Sequence, residues 1–166
     1  TWGVATTLGR FAQALARSEH GSAVVMASIN GYKAHPSQVL YTASKHAAIG
    51  IMRAAAQDLG KSGTRVNALA PGPIATEALK ARIEHRHAAG GPDLETALAQ
   101  MGAETALGTM VTPQQVANWV AGHALAASGS SDGRVTAAWP TARPTKMSAG
   151  DASAASVATV GAVAIV

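Results

Sequence analysis

The 166 residues fit one ordinary domain; 48% are hydrophobic but only 4% aromatic, so a core must rest on Ala, Val, Leu, Ile and Met. The formal charge of +4 is scattered, without a run of like charge or interleaved aromatics, which argues against nucleic acid as a partner. The lack of cysteine excludes a disulfide framework, a thiolate nucleophile and a Cys-based zinc site.

The first 17 or so residues read as an amphipathic helix, because Val4, Leu8, Phe11, Ala12 and Leu15 recur at helical spacing. No basic-then-apolar leader pattern opens the chain, and a cytoplasmic location is expected. Ser22 to Ser28, after Gly21, is a short run apolar on both faces, as suits a central parallel strand covered by helices on each side. Residues 29–40 hold Gly31 and Pro36 and read as a loop. A long helix follows over 41–59, with Gly60 as its stop. Residues 65–70 form a second buried strand, ended by Pro71-Gly72-Pro73.

Helices over 76–89 and 93–101 are separated by Gly90-Gly91-Pro92. Thr112-Pro113-Gln114-Gln115 is a helix start, with a Thr cap, Pro at the first helical position and Gln three residues after the cap; that helix is expected to run to about Ala127. A turn over 128–133 precedes a third strand over 134–139. This rhythm predicts an α/β domain over 1–139, with a parallel sheet of about three strands and flanking helices. Residues 140–166 show no period and are expected to be a divergent, disordered tail; their apolar end, 155–166, is an aggregation hazard if exposed. The apolar, uncharged stretch at the end, 152–166, is shorter than the roughly 20 residues that span a bilayer, so no membrane segment is expected.

Tyr41 and Lys45 stand four apart at the start of a helix, hence on one face. A phenol, with a reference pKa of about 10, is a poor proton carrier at neutral pH, and a neighbouring ammonium favours its ionised form. Such a pair at the C-terminal edge of a parallel sheet could exchange a proton with a substrate oxygen; by itself the spacing also describes a solvated surface pair. Ser28 lies at the end of the first strand, where α/β sheets place ligands, and its hydroxyl could reach the same oxygen; it could equally cap a turn. The segment from Asn67 to Thr76 puts a Pro-Gly turn at the end of the second strand, where Gly72 lets a flat ligand approach the backbone; an ordinary strand-to-helix loop reads the same way.

Taken together, Gly21 to Gly31, Tyr41-Thr42-Ala43-Ser44-Lys45 and Arg65 to Thr76 resemble the short-chain dehydrogenase/reductase family in order and spacing, over residues 1–139. The resemblance implies a partial Rossmann-like, doubly wound parallel sheet and hydride transfer between NAD or NADP and a small-molecule carbonyl or alcohol. It implies Tyr41 as general acid/base, Ser28 as the residue orienting the substrate oxygen, and Lys45 as the cation that favours the phenolate and bonds the nicotinamide ribose. Pro71, Gly72, Ile74 and Thr76 would hold the nicotinamide, and residues 75–102 would form a substrate lid. The helices over 4–17 and 41–59 would pair with a second copy in a homo-oligomer. Ile29, Asn30, His35 and Gln38 are candidate substrate contacts, with a plain surface loop as the alternative for His35 and Gln38.

Two departures stand out. No two glycines lie two positions apart, so the family's Gly-rich pyrophosphate loop is not in these residues; neither is the residue that selects NAD or NADP. The expected chain is therefore the catalytic half of such an enzyme without its nucleotide-gripping half, and the first strand would lose its inner neighbour, leaving an aggregation-prone edge. After the third strand, Trp139-Pro140 leads into Thr141-Ala142-Arg143 rather than the family's Asp-Gly-Gly. The alternative reading is a truncated, inactive fragment that at most oligomerises or binds a partner. His85 and His87, two apart on a helix, face different ways and are expected to be solvated rather than metal-bound.

Overall fold

In the computed structural model, residues 1–105, 108–125, 135–136 and 163–165 are described. Helix α1 (Trp2–Arg17) buries Leu8 and Leu15, two turns apart on one stripe. Strand β1 (Ser22–Met26) follows at once. Gly21 makes this junction: a Cβ there would fall on the Leu15 carbonyl oxygen and 2.9 Å from Thr64 Oγ1.

Helix α2 (Val39–Gly60) buries Ala48, Ile49, Met52 and Ala56 along one stripe. Its alanines let the helix axis come close to the sheet. The helix starts two residues before Tyr41, and Gly60 is its last residue; the reversal falls instead at Gly63, whose φ of +79° is left-handed. Strand β2 (Arg65–Leu69) then lies parallel to β1, pairing Ser22 with Arg65 through Met26 with Leu69.

The core has two parts, one on each face of the sheet. Ala23, Val25, Val66 and Ala68 pack with Leu8, Leu15, Ile49 and Met52 of α1 and α2. Val24 and Leu69 turn the other way, onto Val111 and onto Val116 of α5 (Pro113–Leu125). Burial on both faces is why β1 reads as a continuous apolar run rather than an alternating one. Leu15 and Met52 are fully buried, a contribution of roughly 1.5–3 kcal/mol each.

Helices α3 (Glu77–His87) and α4 (Leu94–Ala103) stand between β2 and α5. Three helix starts are closed by side chains: the Thr112 cap is the one expected from the sequence, while Thr76 and Asp93, expected as the first residues of their helices, stand just before them as caps. The Thr112 and Gln115 pair closes a reciprocal box on α5: the Gln115 N–H donates to Thr112 Oγ1 at 3.2 Å, and the Thr112 N–H donates to Gln115 Oε1 at 2.8 Å. On α3, Thr76 Oγ1 accepts from the Leu79 N–H at 3.3 Å. On α4, Asp93 Oδ1 accepts from the Thr96 N–H at 2.8 Å and Oδ2 from the Thr96 hydroxyl at 3.0 Å.

The hydrogen bonds from Thr96, backbone first and hydroxyl second, hold the Asp93 carboxyl below its ordinary range. A depressed folded-state value contributes stability that is complete above the unfolded carboxylate range and fades as pH falls through the folded value. Asp93→Ala is therefore expected to lower the melting temperature at pH 7, with the difference from wild type shrinking on acidification below about pH 4. Paired thermal melts at pH 7 and pH 3 check this.

The sheet order is β3-β2-β1-β4, all parallel. Strand β3 (Val135–Thr136) pairs with the end of β2, inside the segment expected as the third strand; the rest of 134–139 lies outside the described residues. The first two strands stop at Met26 and Leu69, earlier than the sequence suggested. A fourth strand, β4 (Val163–Ile165), departs from the expectation for the tail and for the edge of β1: it pairs Ser22 with Val163, Ala23 with Ala164 and Val24 with Ile165, and it also contacts α1. Three residues are too few to carry a legible alternation. The other residues of 140–166 lie outside the described residues.

Candidate active site

The C-terminal ends of β1 and β2 are tied together. Ala27 N–H donates to the Leu69 carbonyl at 2.8 Å and Ile29 N–H to the Pro71 carbonyl at 3.1 Å. Ser28 sits just past the strand and caps a single 3-10 turn, Ile29–Gly31; its Oγ accepts from the Asn30 N–H at 3.2 Å. This uses one lone pair and leaves the hydroxyl proton free to donate elsewhere. Gly31 lets the turn lie on α2, because a Cβ there would meet Ile49 Cδ1 and stand 3.1 Å from the Lys45 carbonyl oxygen. Asn30 Nδ2 donates to Gln38 Oε1 at 2.9 Å, which fastens the turn to the loop before α2.

A cavity of about 510 Å³ opens at these strand ends, within the range of small-molecule sites. Of the residues expected at the site, Ser28, Tyr41, Gly72, Ile74 and Thr76 all line it, as do Ile29, Asn30, His35 and Gln38. Ser28 is 8% exposed and Tyr41 is 48% exposed, so the hydroxyl lies deep and the phenol stays open to exchange. The other tyrosine, Tyr32, does not line the cavity; partial burial pushes its phenol up, against an opposing pull from Arg53.

Two expected residues are not on the cavity wall. Pro71 is buried behind it and contributes the carbonyl that accepts from Ile29. Lys45 has its Nζ 5.7 Å from the centre of the Tyr41 ring, so the pair does meet on one helix face, but the ammonium donates to the Met26 carbonyl at 3.1 Å. Gly21 O and Ala27 N bond across to β2, so the alternate carbonyl, that of Met26, points to the opposite edge. Lys45 thus caps the edge of β1 just beyond the reach of β4.

Thr76 has two tasks, since its hydroxyl caps α3 and also lines the cavity. The loop carrying Ile74 is held by a parallel bridge to Val111. The remaining wall comes from Lys33 and Pro73, from Ala78, Leu79 and Arg82 of α3, and from Met101, Glu104 and Thr105 at the end of α4. Ala78, Leu79, Arg82 and Met101 fall in the stretch expected as a lid; which of them face the cavity is not legible in the sequence, because α3 buries only Ile83 and carries no apolar stripe. His35 brings a buried Nδ1 that has no hydrogen-bond partner among the described residues.

A family model described as enoyl-(acyl carrier protein) reductase matches residues 1–137. The 2,5-dichloro-2,5-cyclohexadiene-1,4-diol dehydrogenase of Sphingobium indicum is 42% identical over 69 residues, covering 42% of this chain and 28% of that protein. A short-chain dehydrogenase family protein from Francisella tularensis superposes with a TM-score of 0.65 at 27% identity, over 73% of this chain and 50% of the other. A variant of actinorhodin polyketide ketoreductase, solved with NADPH, superposes with a TM-score of 0.62 at 28% identity, over 71% of this chain and 45% of the other. The chain spans half or less of the length of each of these proteins.

Proposed function

We propose, from the premise that this chain belongs to the short-chain dehydrogenase/reductase family, that it carries the catalytic half of an oxidoreductase acting on a carbonyl or alcohol with NAD or NADP. The observation that carries the reading is the common cavity of Ser28 and Tyr41 with Gly72, Ile74 and Thr76 at the ends of two parallel strands. The Tyr41 phenol gives its proton to the substrate oxygen as a carbonyl is reduced, or takes it as an alcohol is oxidised. The free proton of Ser28 donates to the same oxygen and fixes its position. The Lys45 ammonium, 5.7 Å from the centre of the Tyr41 ring, is the cation beside the reacting phenol.

The residues present suit the nicotinamide end of the cofactor: Gly72 has no side chain to block a flat ring, and Ile74 and Thr76 offer an apolar and a polar contact on the same wall. A bound nicotinamide would supply or accept the hydride. Nothing in these 166 residues matches a Gly-rich loop for the pyrophosphate. That, with the engagement of Lys45 by Met26, favours a second reading in which the isolated chain binds dinucleotide poorly and does not turn over.

Other features fit the first reading. Trp2 and Phe11 of α1 and Val39 and Leu40 at the start of α2 are exposed, as suits association of two copies through these helices. No helix among the described residues is long and apolar enough to cross a membrane; the reading carries a cytoplasmic setting. Following reduced-cofactor absorbance with NADH or NADPH and a panel of ketones tests the reading. Ketone-dependent oxidation supports it, and a folded protein silent across the panel supports the inactive fragment.

A further inference from the structure

Three ionic side chains line the cavity: Lys33, Arg82 and Glu104. Arg82 stands on α3 one turn from Ala78 and Leu79, so the three share the face turned to the cavity. Among the described residues neither Arg82 nor Glu104 forms an ion pair, although both line the same cavity; the ion pair on that helix joins Lys80 to Glu77 at 2.7 Å. Arg82 is exposed and shares the wall with one other cation, Lys33, and one carboxylate, Glu104. A planar guanidinium with no ion-pair partner among the described residues, on the rim of a small-molecule cavity, matches a planar carboxylate in a two-point grip.

We propose that the substrate carries a carboxylate, received by Arg82 with Lys33 adding positive field, while its carbonyl or hydroxyl lies at Ser28 and Tyr41. This rests on the oxidoreductase reading above. Glu104 sharpens the choice, because a carboxylate on the wall opposes a doubly charged phosphate more than a single negative charge. The class is thus an oxo acid or hydroxy acid, with the reacting carbon set apart from the acid group.

Binding of 3-oxohexanoate and of its methyl ester, measured by chemical-shift titration of the whole chain, tests the proposal without relying on turnover. Wild type is expected to bind the acid roughly tenfold more tightly than the ester. Arg82→Ala is expected to close that gap while leaving ester binding unchanged, Arg82→Lys to keep part of it, and Glu104→Gln to widen it. Because Arg82 is exposed, ester binding also reports that the variant is folded. Equal binding of acid and ester, no binding of either, or a gap that survives Arg82→Ala overturns the proposal. Hydride transfer to neutral ketones separates the two readings: transfer without acid preference removes the substrate class alone, and acid preference without any transfer removes the oxidoreductase reading.

Discussion

Tyr41→Phe is expected to slow carbonyl reduction by about 10²–10⁴-fold, the usual worth of a positioned general acid. The phenol is half exposed and, among the described residues, its hydroxyl makes no hydrogen bond that the fold depends on, so the melting temperature and far-ultraviolet spectrum should stay near wild type. Ser28→Ala should act differently. It removes the donor to the substrate oxygen and also the acceptor for the Asn30 N–H, so a loss of rate comes with some loosening of the turn over 29–31. Lys45→Met keeps the length of the stem, removes the charge beside Tyr41 and uncaps the Met26 carbonyl. Its rate loss should therefore come with a lower melting temperature, whereas that of Tyr41→Phe should not. Steady-state rates and thermal melts for the three variants check the assignment; a Tyr41→Phe protein as fast as wild type removes Tyr41 from the chemistry.

The second large effect lies at the opposite end of β1. Ala164→Pro takes the backbone donor from the middle residue of the three-residue strand β4. With so few pairs the strand should detach as a unit. Ser22 and Val24 face that edge, because the intervening odd-numbered residues bond to β2. Their amides should then exchange faster by about an order of magnitude or more. The uncovered edge belongs to a buried, apolar strand, a template for pairing between chains, so the variant should also self-associate at concentrations where wild type does not. Amide exchange and light scattering on the same samples check both. Unchanged protection at Ser22 and Val24 would show that β4 does not shield the edge in solution.

These two regions differ in how plainly the sequence announced them. The start of α5 was legible because Thr112, Pro113 and Gln115 act within one turn, and the two bonds between Thr112 and Gln115 follow from their spacing alone. The strands β1 and β2 were legible because both faces are covered and the runs are apolar throughout. The grouping of Ser28 with Tyr41 followed from strand ends and a helix start, which topology brings to one edge. β4 was not legible: its pairing is dictated by an unfilled edge of another strand, far away in sequence. The Lys45 bond to Met26 was hidden for a related reason, since it depends on which strand edge is left uncapped. Arg82 and Glu104 stayed hidden because α3 buries only Ile83 and α4 only Ala97 and Gly102, too little of an apolar stripe to show which face turns inward.

The most direct test is to supply the chain with reduced nicotinamide cofactor deuterated at C4 and a ketone, and to look for deuterium in the alcohol formed. The expected result is deuterium on the carbinol carbon with wild type and none above background with Tyr41→Phe. An alcohol free of deuterium, or no alcohol from a folded protein saturated with cofactor, would contradict the account that Ser28 and Tyr41 serve one reacting oxygen beside a nicotinamide.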